Sequence, residues 1–244
     1  MYDDLERPPL RSGALDRALA PDGWRVEVLV RTGSTNAVVT ERARAGELAG
    51  LVVVAEQQTA GRGRQGRSWV SPPRAGLTFS VLLHPDPALL SWQPLLGGVA
   101  VATALREVAG IEAVLKWPND VLVGQRKVCG LLAEVPVAGA VALGIGLNVT
   151  TRADELPPVG ATSLQLLGAA TLDRETLLKA VLRHLARPAA PPAYRELCAT
   201  LGRRVRVELP GGVAVEGVAD DVDAHGRLVV DGTAYAAGDV VHLR

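Results

Sequence analysis

The stretch LVVVAEQQTAGRGRQGRSW, Leu51 to Trp69, places Gly61, Gly63 and Gly66 directly after an apolar run that reads as a buried strand. The letters fit G-x-G-x-x-G, and with Arg67-Ser68 after Gly66 they come within one residue type of a phosphate-binding P-loop. Both motifs require the last glycine to open a helix, whose N-terminus holds phosphate through free N–H groups and its dipole. The chain instead continues RSWVSPPRAG, and two prolines and a glycine leave no room for a helical turn before the next strand, LTFSVLLH. Asp86 stands where a dinucleotide fold wants an acid, but without a crossover helix the two strands cannot form a parallel unit. Both fingerprints fail. The expected topology around the loop is antiparallel.

A glycine-rich loop with Arg62, Arg64 and Arg67 remains. Three guanidiniums among three glycines cannot enter a core, and they repel one another unless an anion arrives. The loop is either a solvated surface segment or a basic lid.

Lys+Arg and Asp+Glu both number 26, so the 244-residue chain is formally neutral. A nucleic-acid binder would carry a basic surplus or stripe, and none is visible. Hydrophobic residues at 48% with aromatics at 3% suit an α/β-type core of Val, Leu and Ala. No apolar run spans a bilayer, and the start MYDDLERPPL is no signal peptide, so a cytoplasmic location is expected. Cys129 and Cys198 form no C-x-x-C pair and read as small core or surface thiols.

WRVEVLVR (Trp24 to Arg31) alternates as a half-buried strand, and Ser34, Thr35 and Asn36 supply capping residues for a helix after it. Leu51–Glu56 and Leu77–His84 are strands, and SWQPLLGGVAVATALREVAG is a buried helix. The run from Ala113 to Val149 reads as three strands, one tight turn falling at Gly124-Gln125, and RETLLKAVLRHLA is an amphipathic helix. RPAAPPAYRE marks a change of organisation, after which short alternating strands with Pro-Gly-Gly, His-Gly and Asp-Gly turns predict a small β-barrel or sandwich. The fold class is α+β with a mainly antiparallel sheet.

GSTN, QQTAGRGRQGRSW, LKWPNDVLV, RKVCGLLAE and GIGLNV succeed one another at spacings that resemble the biotin protein ligases, and the resemblance runs on through the C-terminal β-segment. It implies a class II synthetase-like catalytic domain over 1–197 and an SH3-like β-barrel over 198–244. About twenty residues precede the first strand, too few for the winged helix-turn-helix of bifunctional members, so the monofunctional type without DNA binding is expected. The implied reaction activates biotin with ATP as biotinyl-5′-AMP, then transfers biotin to a lysine of a biotin carboxyl carrier protein, with Mg2+ accompanying ATP. Oligomeric state stays open between a monomer and a weak homodimer. A lipoate-type ligase would carry a different glycine-rich pattern with an aromatic and a histidine in place of the Arg/Gly loop. A non-enzymatic adaptor would release no pyrophosphate.

The resemblance assigns biotin to Ser34, Thr35, Asn36, Gln58, Arg62, Gly63, Arg64, Lys127 and Gly130. Short polar groups suit a ureido ring, which offers one acceptor and two donors, though Ser34 and Thr35 also read as a plain helix cap. ATP and the adenylate fall to Arg62, Arg64, Arg67, Trp69, Asn119, Lys127 and Asn148. Catalysis falls to Lys127, Arg64 and Asp120, with Asp120 orienting the incoming lysine or a magnesium ion. Lys127 also reads as an exposed hairpin lysine, Asn119 and Asp120 as a turn, and Lys116 as either a phosphate contact or surface. Asn148 reads as a buried amide satisfied by backbone or as site wall. The loop becomes a lid, disordered until an anion binds, because ordering it costs roughly 1–2 kcal/mol per residue. Trp69 would then cover the adenine.

Overall fold

LTFSVLLH and GAVALGIGLNV alternate large and small side chains, and alternate residues of a strand face opposite sides of a sheet. In the computed structural model, which describes residues 7–243, they form β3 (Gly76–Leu83) and β7 (Val141–Asn148), paired antiparallel along their full length. Leu77, Phe79 and Val81 with Leu143, Ile145 and Leu147 face one side and are fully or nearly fully buried. Thr78 and Ser80 with Gly144 and Gly146 face the other.

These strands are the centre of a seven-stranded sheet ordered β1-β2-β3-β7-β6-β5-β4, built from β1 (Arg25–Leu29), β2 (Leu51–Ala55), β4 (Ala113–Lys116), β5 (Asp120–Val123) and β6 (Arg126–Glu134) besides. Only β1 and β2 run parallel, joined by the crossover helix α2 (Thr35–Arg44). Helix α2 covers the outer part of the polar face, with Val39 and Ala43 on Leu51, Val53, Leu82 and Ala142. The apolar face is covered by α1 (Ser12–Leu19), α3 (Gln93–Ala109) and α4 (Arg174–Ala186). Gly97 lets α3 sit directly on the sheet, since a Cβ there would lie 2.8 Å from Leu143 and 2.9 Å from Leu131. Glu56, at the end of β2, pairs with Arg174 at 2.7 Å with both side chains buried. It also accepts from the Leu10 amide, so one carboxylate ties α4 and the N-terminal segment to the sheet.

Three local expectations change. The Ala113–Val149 region has four strands rather than three, because Trp117-Pro118-Asn119, with a cis Trp117–Pro118 bond, makes a second tight turn between β4 and β5. The segment before β1 contains α1, whose Leu15 and Leu19 are buried. The proline-rich piece contains α5 (Pro191–Leu197), which tolerates its prolines because they occupy the first turn, where no N–H is required.

The C-terminal strands β8 (Arg204–Glu208), β9 (Ala214–Val222), β10 (Leu228–Val230), β11 (Thr233–Tyr235) and β12 (Asp239–His242) form a separate antiparallel sheet ordered β11-β10-β9-β8-β12. Two buried indoles dock it on the first sheet: Trp92 donates to Ala224 O at 2.8 Å and Trp117 to Gly226 O at 3.0 Å. Among the described residues, no helix is long and apolar enough to cross a membrane.

Candidate active site

The polar face of β3, β7 and β6 floors a cavity of about 450 Å³. Across the strands the register sets Thr78, Gly146, Gly130, Asp120 and Lys116 in one row and Ser80, Gly144 and Leu132 in the next. The glycines are there because other side chains lie on them. A Cβ at Gly144 would stand 2.5 Å from the Asn36 amide, and one at Gly146 would fall into the Trp69 indole.

The deep end is polar and nearly closed. Ser34, Thr35 and Asn36 are buried at the start of α2. Thr35 donates its backbone N–H to Gln58 Oε1 at 2.7 Å, and its hydroxyl lies 2.7 Å from Ser80 Oγ. Ser80 in turn donates to Asn36 Oδ1 at 2.7 Å, while Asn36 Nδ2 donates to Glu134 Oε2 at 2.8 Å. Ser34 holds the cap position of α2 with no capping hydrogen bond from its side chain, so the plain-cap reading does not apply to its hydroxyl.

At the other end stands Lys127. Strict alternation would turn it to the same side as Cys129 and Leu131, into the core. Instead Val121 pairs with Cys129 and Leu122 with Lys127, so Val128 is an extra residue in β6, a β-bulge. Val128 and Cys129 both enter the core, and Lys127 emerges on the cavity side. It is not an exposed hairpin lysine: its ammonium lies 2.5 Å from Asp120 and 5.7 Å from the Trp69 ring centroid. Its backbone pairs with Gly160 and Thr162, which holds the segment after β7 over the cavity as a roof. Asn148 fits both of its readings, lining the cavity while donating to Thr162 O at 3.0 Å. Burial pushes the Lys116 ammonium down, with Asp120 opposing the shift. Lys116 does not line the cavity.

The Arg/Gly loop forms the remaining wall as a short hairpin. Trp69 N–H donates to Gly61 O, Gly63 N–H to Arg67 O and Arg67 N–H to Arg64 O. The turn's central residues, Gln65 and Gly66, have φ of 53° and 74°, the positive-φ pair that two-residue hairpins use. The repulsion expected among its arginines is met by the protein's own carboxylates, at 3.1 Å for Arg62 to Glu134 and 2.9 Å for Arg67 to Asp239. Arg64 donates to Asn119 Oδ1 and Gly238 O. Burial lowers the Arg64 guanidinium from its usual value, with Asp239 opposing. Trp69 lies against the floor, over Gly130 and Gly146.

Every residue singled out from the sequence for biotin lines this one cavity, as do Arg67, Trp69, Asn119 and Asn148. Asp120 joins them through Lys127. Sequence reasoning misses Ser80, Glu134, Gly144 and Asp239. Ser80 carries a signal, a hydroxyl inside an apolar strand that needs a partner when buried. Asp239 carries none, since its role depends on how the two sheets dock. No nucleophile is poised here: burial pushes the Cys129 thiol up to about 12, which keeps it neutral. A protein-built magnesium site does not fit either. Among the described residues no three His, Cys, Asp or Glu side chains converge, and Asp120 is engaged by Lys127.

The Biotin/lipoate A/B protein ligase family model matches residues 28–149, and the biotin protein ligase C-terminal domain model matches 200–243. Among curated proteins, the biotin–[acetyl-CoA-carboxylase] ligase of Mycobacterium tuberculosis is 43% identical over 99% of this chain and 98% of that one. The bifunctional ligase/repressor BirA of Escherichia coli is 38% identical over 67% of this chain and 53% of its own length. Among solved structures, the biotin protein ligase of Aquifex aeolicus in complex with biotin and ATP superimposes with a TM-score of 0.71 at 29% identity, covering 90% of this chain and 98% of that one. The Leishmania major enzyme in complex with biotinyl-5-AMP gives 0.62 at 27% identity, covering 90% and 98%. The chain belongs to the biotin protein ligase family.

Proposed function

We infer that the protein is an ATP-dependent ligase that activates biotin as biotinyl-5′-AMP and transfers it to a lysine of a biotin carboxyl carrier protein, that of acetyl-CoA carboxylase and related carboxylases. The observation that carries this reading is the single cavity running from Thr35 and Asn36 to Lys127 and the arginine hairpin. The ureido ring goes to the deep polar end, where Ser34, Thr35, Asn36 and Gln58 supply donors and acceptors. The valeryl carboxylate then points toward Lys127, beside the α-phosphate of ATP. Attack of the carboxylate on the α-phosphorus expels pyrophosphate, and the Lys127 ammonium with Arg62, Arg64 and Arg67 neutralises the charge that moves. Magnesium would accompany ATP and help to neutralise its phosphates.

In the second step an uncharged carrier amine attacks the mixed anhydride and releases AMP. Asp120 lies beside Lys127, placed to orient that amine. Residues 1–197 are assigned to the chemistry and 198–244 to a β-domain that closes the site from the hairpin side. The test is incubation with biotin, ATP and a carrier domain. Pyrophosphate release must require biotin, and streptavidin blotting must detect the carrier but not its Lys→Arg variant. Equal activity with lipoate in place of biotin would refute the substrate assignment.

A further inference from the structure

Glu134 ends β6 and has no part in the ligase chemistry described so far. One of its oxygens, Oε2, receives both Asn36 Nδ2 from the pocket floor at 2.8 Å and Arg62 Nη2 from the hairpin at 3.1 Å. Asn36 is almost wholly buried, while Arg62 is 46% exposed. The two therefore belong to different environments, and Glu134 is the atom-level link between them.

The link also has a direction. Leu132 O and the Glu134 carboxylate are both acceptors, so together they hold the Asn36 amide with Nδ2 toward them and Oδ1 toward Ser80. Oδ1 then takes the single Ser80 hydroxyl hydrogen. Ser80 Oγ has nothing left to donate, so the 2.7 Å contact with Thr35 must use the Thr35 hydrogen, whose other acceptor in reach is Gln58 Oε1 at 3.1 Å, also a group of the protein. With that hydrogen committed, Thr35 presents only lone pairs to the cavity. A chain of four groups thus converts a negative charge at the rim into an acceptor at the pocket floor. An acceptor there is the group that a ligand N–H requires.

We propose that Glu134 is a positioning residue for biotin: its carboxylate couples the hairpin's Arg62 to Asn36 and sets the hydrogen-bond polarity that makes Thr35 an acceptor for a ureido N–H. This rests on the ligase reading. When Arg62 engages Glu134, the hairpin is drawn over the ring that the same carboxylate has helped to orient.

The test is steady-state pyrophosphate release by wild type, E134Q, R62A and the double variant, with KM measured separately for biotin and ATP. Gln keeps the length of Glu but removes its charge and lets the amide present either end. E134Q is expected to raise the biotin KM about tenfold, the scale of a lost charge-assisted hydrogen bond, with the ATP KM and kcat within about twofold. A merely structural role would instead lower the melting temperature and raise both KM values. R62A also removes a cation assigned above to the reacting anions, so the cycle is read on the biotin KM alone, where the double variant should bind biotin little worse than the weaker single one. An unchanged biotin KM in E134Q, a parallel rise in both KM values of E134Q, or strictly additive effects on the biotin KM would overturn the proposal. Wild type without biotin-dependent pyrophosphate release would overturn the ligase reading itself.

Discussion

Lys127 and Asp120 are 2.5 Å apart because the bulge at Val128 keeps Lys127, paired with Leu122, on the face of the sheet where Asp120 sits. The pair is roughly a quarter exposed, so its loss should cost the fold little, on the order of 1 kcal/mol or less. Its loss should cost chemistry much more. Lys127→Ala is expected to reduce biotin-dependent pyrophosphate release on the order of 10²–10³-fold, the effect of deleting one preorganised charge at a reacting anion. Near-normal release by a folded variant would remove Lys127 from the mechanism.

The bulge shows where sequence reading stops. The five motifs that built the site are contiguous strings, and they named Gly130 and Lys127, which share the cavity face of the sheet. Lys127 is on that face for a reason that no period reveals, because a bulge is a fault in the period itself. The β4–β5 turn was only half legible: Asn119 and Asp120 carry a turn reading, but LKWPNDVLV reads as one strand with a proline until the register shows it folded back on itself. Asp239 was illegible in another way. It meets the hairpin from 172 residues away, and nothing in its own surroundings, AAGDVV, suggests an arginine partner.

Trp69 and Gly146 give a steric prediction. A Cβ at Gly146 would overlap the indole, so Gly146→Ala must displace Trp69 from the floor or push the strand apart. The ring also carries the Lys127 cation–π contact, and the base of the hairpin is hydrogen-bonded at Trp69. Activity should fall at least tenfold with a cooperative melting transition retained, since overpacking typically costs about 1–3 kcal/mol. Activity measurements with circular dichroism melting decide it, and full activity would mean that Trp69 is not held against Gly146 during turnover.

His242 sets an acid limit on the docking of the C-terminal sheet. Burial, followed by the charges of Lys116 and Arg203, depresses its imidazolium to about 4 from 6.5. Its Nε2 lies 3.1 Å from the Thr200 hydroxyl, which accepts the Trp117 backbone N–H at 3.1 Å and keeps its own hydrogen to donate to a neutral ring. A depressed pKa in the folded state means that the unfolded chain binds more protons between pH 6.5 and 4. This contribution to stability is therefore complete above pH 6.5, declines through that window and is gone below about 4. His242→Gln should flatten the slope of urea-unfolding stability over pH 4–6.5 while leaving other acid-sensitive groups unchanged. An identical slope in both proteins would exclude His242 as a titrating element.

Arg64 and Arg67 reach across to Gly238 and Asp239, so the hairpin that walls the cavity is latched by the C-terminal sheet. Asp239 lies 2.9 Å from Arg67 and 3.9 Å from Arg64, an internal anion where the bound ligand would bring its phosphate. Two variants separate the latch from the ligand contact. Arg64→Gly loses the bonds to Asn119 and Gly238 and adds a fourth glycine, which widens the open ensemble. It should still form adenylate, since Lys127 and the Thr35 end of the pocket are intact, but release it faster. One charge-assisted hydrogen bond of roughly 1.5–3 kcal/mol corresponds to about tenfold to a hundredfold in the open population. Asp239→Asn removes only the internal anion. It should loosen the ligand-free hairpin, read as faster proteolysis near Gln65, while leaving adenylate release within about threefold of wild type, because both arginines remain to hold phosphate. The measurements are biotinyl-AMP dissociation and labelling of serum albumin lysines for both variants beside wild type. Fast release from Asp239→Asn together with wild-type release from Arg64→Gly would reverse these roles, making the carboxylate the clasp on the closed site and Arg64 a bystander.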